Sequence, residues 1–317
     1  MGKRIFTKPI FVALLSLVCC ALWGSAFAFI KLGYREFDIS ESDVGSQVLF
    51  AGLRFFCAGV IAVAAGSVFE KRFVVPKKNS IGKIILLGLV ATAVQYTLFY
   101  IGLAHTGGMK GSVIISLNVF FSILIACFVY KMEKFTLKKE VGCLIGFLGV
   151  VIINIDSSFN FDFNLLGDGL IVLSAAAYAL SSVMCKRYSA EETPLTLTSY
   201  QFLIGGAVMI LFGALSGGKV SGWTLKSSLI FIYLALLSAA AYMIWSVLLK
   251  YNPVARVSVY GFSNPIFGVL FCAVLLGERG DVLTLKGLFA LLLVCVGIFT
   301  VNYSRTAGEK QFYERKD

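Results

Sequence analysis

Charge is scarce in this chain. Of its 317 residues only 14% are Asp, Glu, Lys or Arg, against roughly 25% in soluble domains. There is one histidine, His105, and no His, Cys, Asp or Glu spacing that suits a metal, so no metal site is expected. The apolar runs carry no acid near their centres, which excludes the midplane carboxylate relay that proton antiporters use. Without a nucleophile, base or metal set, intramembrane hydrolysis or acyl transfer has nothing to run it, and neither an enzyme nor a cofactor is expected. Long hydrophilic stretches are missing too, which leaves no room for a soluble domain.

What is present is hydrophobic. Apolar residues make up 58% of the chain and the mean hydropathy is +0.88, the composition of a polytopic membrane protein surrounded by lipid. Ten apolar runs can be marked, at 11–32, 47–69, 81–103, 112–130, 137–155, 167–184, 195–215, 227–249, 254–276 and 283–303. The first lacks the short core and cleavage site of a signal peptide. The eight cysteines all fall inside these runs and read as small lipid-phase or core residues. The net charge of +11 lies in the short breaks between runs, not on a solvated groove, so nucleic acid is not a partner. With both termini in the cytoplasm, twenty of the 28 Lys and Arg fall in inner segments and seven in outer ones. That asymmetry orients the chain in the cell (plasma) membrane with both ends inside.

The runs are written twice. Thr136, Leu137, Lys138, Gly149 and Asn154 recur as Thr284, Leu285, Lys286, Gly297 and Asn302, at a constant offset of 148. Trp23 and Lys31 match Tyr178 and Lys186 at 155, and Phe55 and Gly59 match Phe202 and Gly206 at 147. Two copies of five helices follow, at 1–155 and 156–303, with a charged cytoplasmic tail at 304–317. Because five is odd, the second copy enters the membrane from the opposite side, the inverted repeat that supports alternating access around a midplane site.

Three stretches carry a family resemblance: Ala21-Leu22-Trp23-Gly24-Ser25-Ala26-Phe27 in the first helix, Leu53-Arg54-Phe55 in the second, and Asn264-Pro265 through Leu276-Gly277-Glu278 in the ninth. With the twice-five layout, the whole chain resembles the bacterial EamA branch of the drug/metabolite transporter superfamily. The resemblance implies an all-α, ten-helix inner-membrane carrier, usually an exporter or facilitator of amino acids or other small metabolites. Its cavity is expected between helices other than the fifth and tenth. The first copy departs from the pattern, with Phe120 at the proline position and Met132 where a glycine usually precedes the glutamate, so helix four is expected to be straighter than helix nine, whose bend should concentrate at Pro265.

Several residues stand out for their depth. Trp23, Gln95, Tyr96, Tyr100, Asn118, Tyr178, Tyr242, Trp245, Ser263 and Asn264 sit well inside runs, whereas structural Trp and Tyr prefer the interfacial belts. They are candidates to line a polar-aromatic cavity for a small amphiphilic solute, although packing between helices explains any one of them equally well. Arg54 is the one charge well inside a run; it reads as an anion partner or, preferably, as a structural residue reaching backbone carbonyls or the interface. Glu133 and Glu278 read as proton-linked gates or, preferably, as interfacial carboxylates paired with Lys134 or Arg279. His105 is a gating candidate or an ordinary helix-end residue. Gly142, Gly146 and Gly149 form a small-residue stripe for close helix packing, and a homodimer through it is the sharper reading. The expected partners are a small-molecule substrate and membrane lipid. A proton-coupled multidrug exporter is the nearest alternative, and a non-transporting receptor or structural membrane protein is the other.

Overall fold

The computed structural model describes residues 5–40, 42–106, 108–154, 163–276 and 285–303. They form an all-helical bundle of rods: α1 (Pro9–Glu36), α2 (Val44–Glu70), α3 (Lys78–Leu103), α4 (Val113–Val129), α5 (Leu137–Asn154), α6 (Leu165–Tyr188), α7 (Pro194–Leu215), α8 (Leu225–Tyr251), α9 (Val254–Leu276) and α10 (Leu285–Tyr303). Seven of these, α1 to α3 and α6 to α9, are long and apolar enough to cross a bilayer by length and composition. Helix ends follow local chemistry. Pro9 and Pro194 stand at N-termini where a missing N–H is harmless, and Thr224 and Ser227 form a capping box that opens α8. Asp43 caps α2 by accepting from the Ser46 N–H at 2.9 Å and its hydroxyl at 2.6 Å. The Ser46 hydroxyl first and then the Ser46 N–H hold the Asp43 carboxyl below the usual carboxylate range. The cap therefore stands at neutral pH and is lost as acid protonates it.

The pairing of the rods obeys a two-fold rule. Strong neighbours are α2 with α7, α5 with α10, α1 with α9 and α8, α6 with α4 and α3, α7 with α3, and α2 with α8. Exchanging each helix for the one five places away leaves this set unchanged. Individual contacts obey it too. A Cβ on Gly59 would stand 2.8 Å from the Leu203 nitrogen, and the image contact places a Gly206 Cβ 2.6 Å from the Phe56 nitrogen. On the other pair, Gly142 meets the Gly297 carbonyl and Gly149 meets the Ala290 carbonyl, related by the offset of 148. Phe55 stacks on its counterpart Phe202 with ring centroids 5.3 Å apart.

Two expectations are corrected here. The Gly142, Gly146 and Gly149 stripe is covered by α10 and Phe262 of the same chain, so it offers no free face for a homodimer. Nor does the lack of a proline leave α4 regular. At Ser116 to Val119 it tightens to i→i−3 bonding, with Leu117 N–H donating to Ile114 O at 3.0 Å, and it ends in a π turn at Ile125–Val129. Helix α9 tightens similarly in a 3-10 turn at Val259–Phe262, just before Pro265. Proline is not required for the break in α4, because irregular backbone at membrane depth persists wherever protein or a cavity surrounds it.

Backbone contact at the α2–α7 crossing leads to a direct expectation. Gly206→Ala should lower stability by about 1–3 kcal/mol through overpacking. Gly82→Ala, where a Cβ meets nothing within 4 Å, should be neutral or stabilising. Thermal unfolding of the two purified variants in detergent is the check, and equal unfolding temperatures would count against the crossing.

Candidate functional site

A cavity of about 130 Å³ opens among the middle turns of the helices. Helix α1 supplies Trp23, Ala26, Phe27 and Ile30, one face at i, i+3, i+4 and i+7. Helix α3 supplies Gln95, Tyr96, Phe99 and Tyr100, immediately after its π turn at Leu89–Val94, an insertion of the kind that re-aims side chains. The irregular turns of α4 and α9 bring Ile115, Ser116 and Asn118 from one side and Ser258, Gly261, Asn264 and Pro265 from the other. Leu237, Ser238, Tyr242 and Trp245 come from α8, Arg54 from α2 and Tyr178 from α6. Among the described residues, none of α5, α7 or α10 lines this wall.

Of the ten mid-depth residues singled out in the sequence, nine stand in one wall; Ser263 is buried next to it. Their rings form a connected cluster. Trp23 meets Tyr242 at 5.2 Å, Trp245 at 5.0 Å and Tyr178 at 6.4 Å between centroids, all edge to face, the arrangement ring quadrupoles favour. The Tyr96 and Tyr242 hydroxyls share a hydrogen bond at 2.5 Å. Residues missed in the sequence include Phe27 and Ile30, which the helical period from Trp23 would have found. Ser116 and Ser258 were also missed, and they face the cavity only because the backbone tightens beside them.

The chemistry of the wall lies in its unmet hydrogen-bonding groups. Trp23 Nε1, Arg54 Nε, Gln95 Oε1, Trp245 Nε1, Ser258 Oγ and Asn264 Oδ1 are buried without a protein partner, and all six residues line the cavity. Buried polar groups are ordinarily paired, so such a concentration marks a place where a solute or solvent supplies the other half. The wall offers indole and guanidinium donors, amide acceptors and ring faces.

The remaining candidates lie elsewhere. Glu133 is neither exposed nor paired with Lys134. Its side chain is 1% exposed and forms an ion pair with Lys139 at 3.2 Å. Glu133 also accepts from the backbone N–H groups of Val254 and Ala255, capping α9 across the bundle. An anion at a helix N-terminus explains why a carboxylate is stable in that position. Lys186 completes this end of the molecule by donating to the carbonyls of Leu249, at 3.0 Å, and Asn252 at the close of α8. His105 ends α3 on the surface, with its Nδ1 on the Ile101 carbonyl at 2.8 Å and its ring outside the cavity. Glu278 lies outside the described residues. Asp168 sits buried in the first turn of α6, where it accepts from the Thr106 hydroxyl and from Asn164 N–H at 2.8 Å.

Because losing Glu133 takes the carboxylate from the Lys139 ammonium and uncaps the buried Val254 and Ala255 N–H groups, Glu133→Ala should destabilise the protein by about 3 kcal/mol. Glu133→Ala combined with Lys139→Met should recover part of that loss. Unfolding temperatures in detergent measure both, and a double variant no better than the single one would contradict the ion-pair account.

The model of the EamA-like transporter family matches residues 10–155 and again 165–303. A protein of Archaeoglobus fulgidus named an "uncharacterized transporter" is 29% identical over 284 residues, spanning 89% of this chain and 95% of its own. A Salmonella typhimurium protein named a "probable amino-acid metabolite efflux pump" is 26% identical over 314 residues, spanning 92% and 96%. One solved crystal structure shares the fold with a TM-score of 0.76 at 16% identity, covering 92% of this chain and 96% of that one.

Proposed function

Because the chain belongs to the EamA-like transporter family, we propose that it carries small metabolites, amino acids among them, across the cell membrane by alternating access around the central cavity. The observation that carries this reading is the wall itself, in which six partnerless polar atoms stand beside a four-ring aromatic cluster at mid-depth. A structural protein has no use for buried groups left unpaired, and a receptor has no need of an inverted repeat. In this reading all ten rods cross the membrane, both termini face the cytoplasm, and the halves at 1–155 and 156–303 are the inverted repeats. In the same reading the Glu133, Lys139 and Lys186 cluster lies at the basic, cytoplasmic end, where Glu133 ties α9 to the first half and Lys186 ties α8 to α6. Opening toward that side requires these bonds to part.

The alternative within the family is a proton-coupled multidrug exporter. Among the described residues the wall holds no carboxylate to carry the proton, which favours a facilitator or exchanger. Amino acids also fit the name of the Salmonella typhimurium relative.

Counterflow in proteoliposomes across a panel of labelled metabolites is the test. A solute that wild type carries should be carried about tenfold less efficiently by Trp245→Ala or Asn264→Ala, the size of one lost buried hydrogen bond. Unchanged selectivity in both variants, or no exchange of any panel member, would overturn the proposal, and a dependence on an imposed proton gradient would favour the multidrug alternative.

A further inference from the structure

Arg54 is a buried cation among neutral groups. It is only 3% exposed and stands ten residues into α2, roughly 15 Å of helix from the nearer end. No ion pair to it is found among the described residues, its Nε has no partner, and the guanidinium lies 4.4 Å from the centroid of the Phe55 ring. The hydroxyls of Tyr34, Tyr96 and Tyr242 are near enough to feel its charge. These dipoles soften the burial but do not neutralise it.

The two-fold shows that the charge is not needed for packing. The position related to Arg54 by the offset of 147 is Gln201 on α7, neutral, buried and away from the cavity wall. The same helix crossing therefore closes around an amide on one side and a guanidinium on the other. Only the guanidinium faces the cavity.

We propose that Arg54 is the anchor for a single carboxylate on the transported solute, so that the cavity selects small monoanions and zwitterions with an apolar or aromatic body over organic cations. This rests on the transport reading above. A guanidinium presents its donors in a fork that matches a carboxylate, and a bound carboxylate neutralises a charge that the surroundings leave uncompensated. The body of the solute then packs on the Trp23 and Trp245 rings, and its polar groups meet the Gln95 and Asn264 amides. On a zwitterion, the ammonium finds ring faces and amide oxygens in place of a competing acid.

Three probes of one skeleton decide the matter: 3-phenylpropionate, 3-phenylpropanamide and 3-phenylpropylamine, titrated against the purified full chain with unfolding temperature as the readout. Wild type should respond to the carboxylate at a concentration at least tenfold lower than to the amide or the amine. Arg54→Gln should erase that preference while still responding to the amide, and Arg54→Lys, which keeps the charge without the fork, should retain part of it. If Arg54→Gln does not fold, the Arg54→Lys comparison carries the test, and full retention there overturns the guanidinium role. A wild type that prefers the amine or amide, or an Arg54→Gln that keeps the carboxylate preference, overturns the anchor and leaves the transport cavity intact. No response of wild type to any of the three overturns the cavity reading and the anchor with it.

Discussion

Two crossings of bare backbone hold this molecule in register. Lipid gives helices no hydrophobic reason to associate, so dispersion between closely approaching surfaces has to do it, and glycine is what permits the approach. At α2–α7 and α5–α10 each helix meets its own two-fold image, with Gly59 and Gly206 in one crossing and Gly142, Gly149 and Gly297 in the other. Helices that pair with their own images straddle the axis relating the halves. The other rods are then placed by what remains, α1 between α8 and α9, and α6 between α3 and α4.

The cavity lies where that symmetry meets in the middle. Trp23 touches its counterpart Tyr178, and Tyr96 bonds to Tyr242 146 residues later, so rings from both halves close on each other within one wall. The backbone supports the arrangement, and the chemistry departs from it. Tryptophan faces tyrosine, arginine corresponds to glutamine, and a phenylalanine in α4 corresponds to the proline of α9. Equivalent scaffolds stand on either side of the cavity, whereas unequal side chains make those sides chemically different.

Much of this was legible in the residues themselves. The fixed offsets found the repeat, because contacts across an axis constrain both copies alike, and the rings and amides at mid-depth drew notice because lipid tolerates them poorly. The position of Glu133 was not legible. Its neighbours in sequence are lysines at the end of a run, which is also how an exposed interfacial acid looks, and only the approach of Val254, 121 residues on, buries it. The glycine stripe of α5 was ambiguous for a similar reason: small residues announce close packing without saying which helix arrives. The tightened turn of α4 left no mark at all, since it has no proline and takes its shape from its surroundings.

Nearly every strong helix pairing joins one half of the chain to the other. The repeats are therefore copies in sequence and interleaved in space, and neither is a folding unit. While only the first half has been made, its glycine faces have no cover and Glu133 lacks the amides that will cap it. They must wait in that state until the second half arrives. A protein built this way gains most of its packing only when both halves are present.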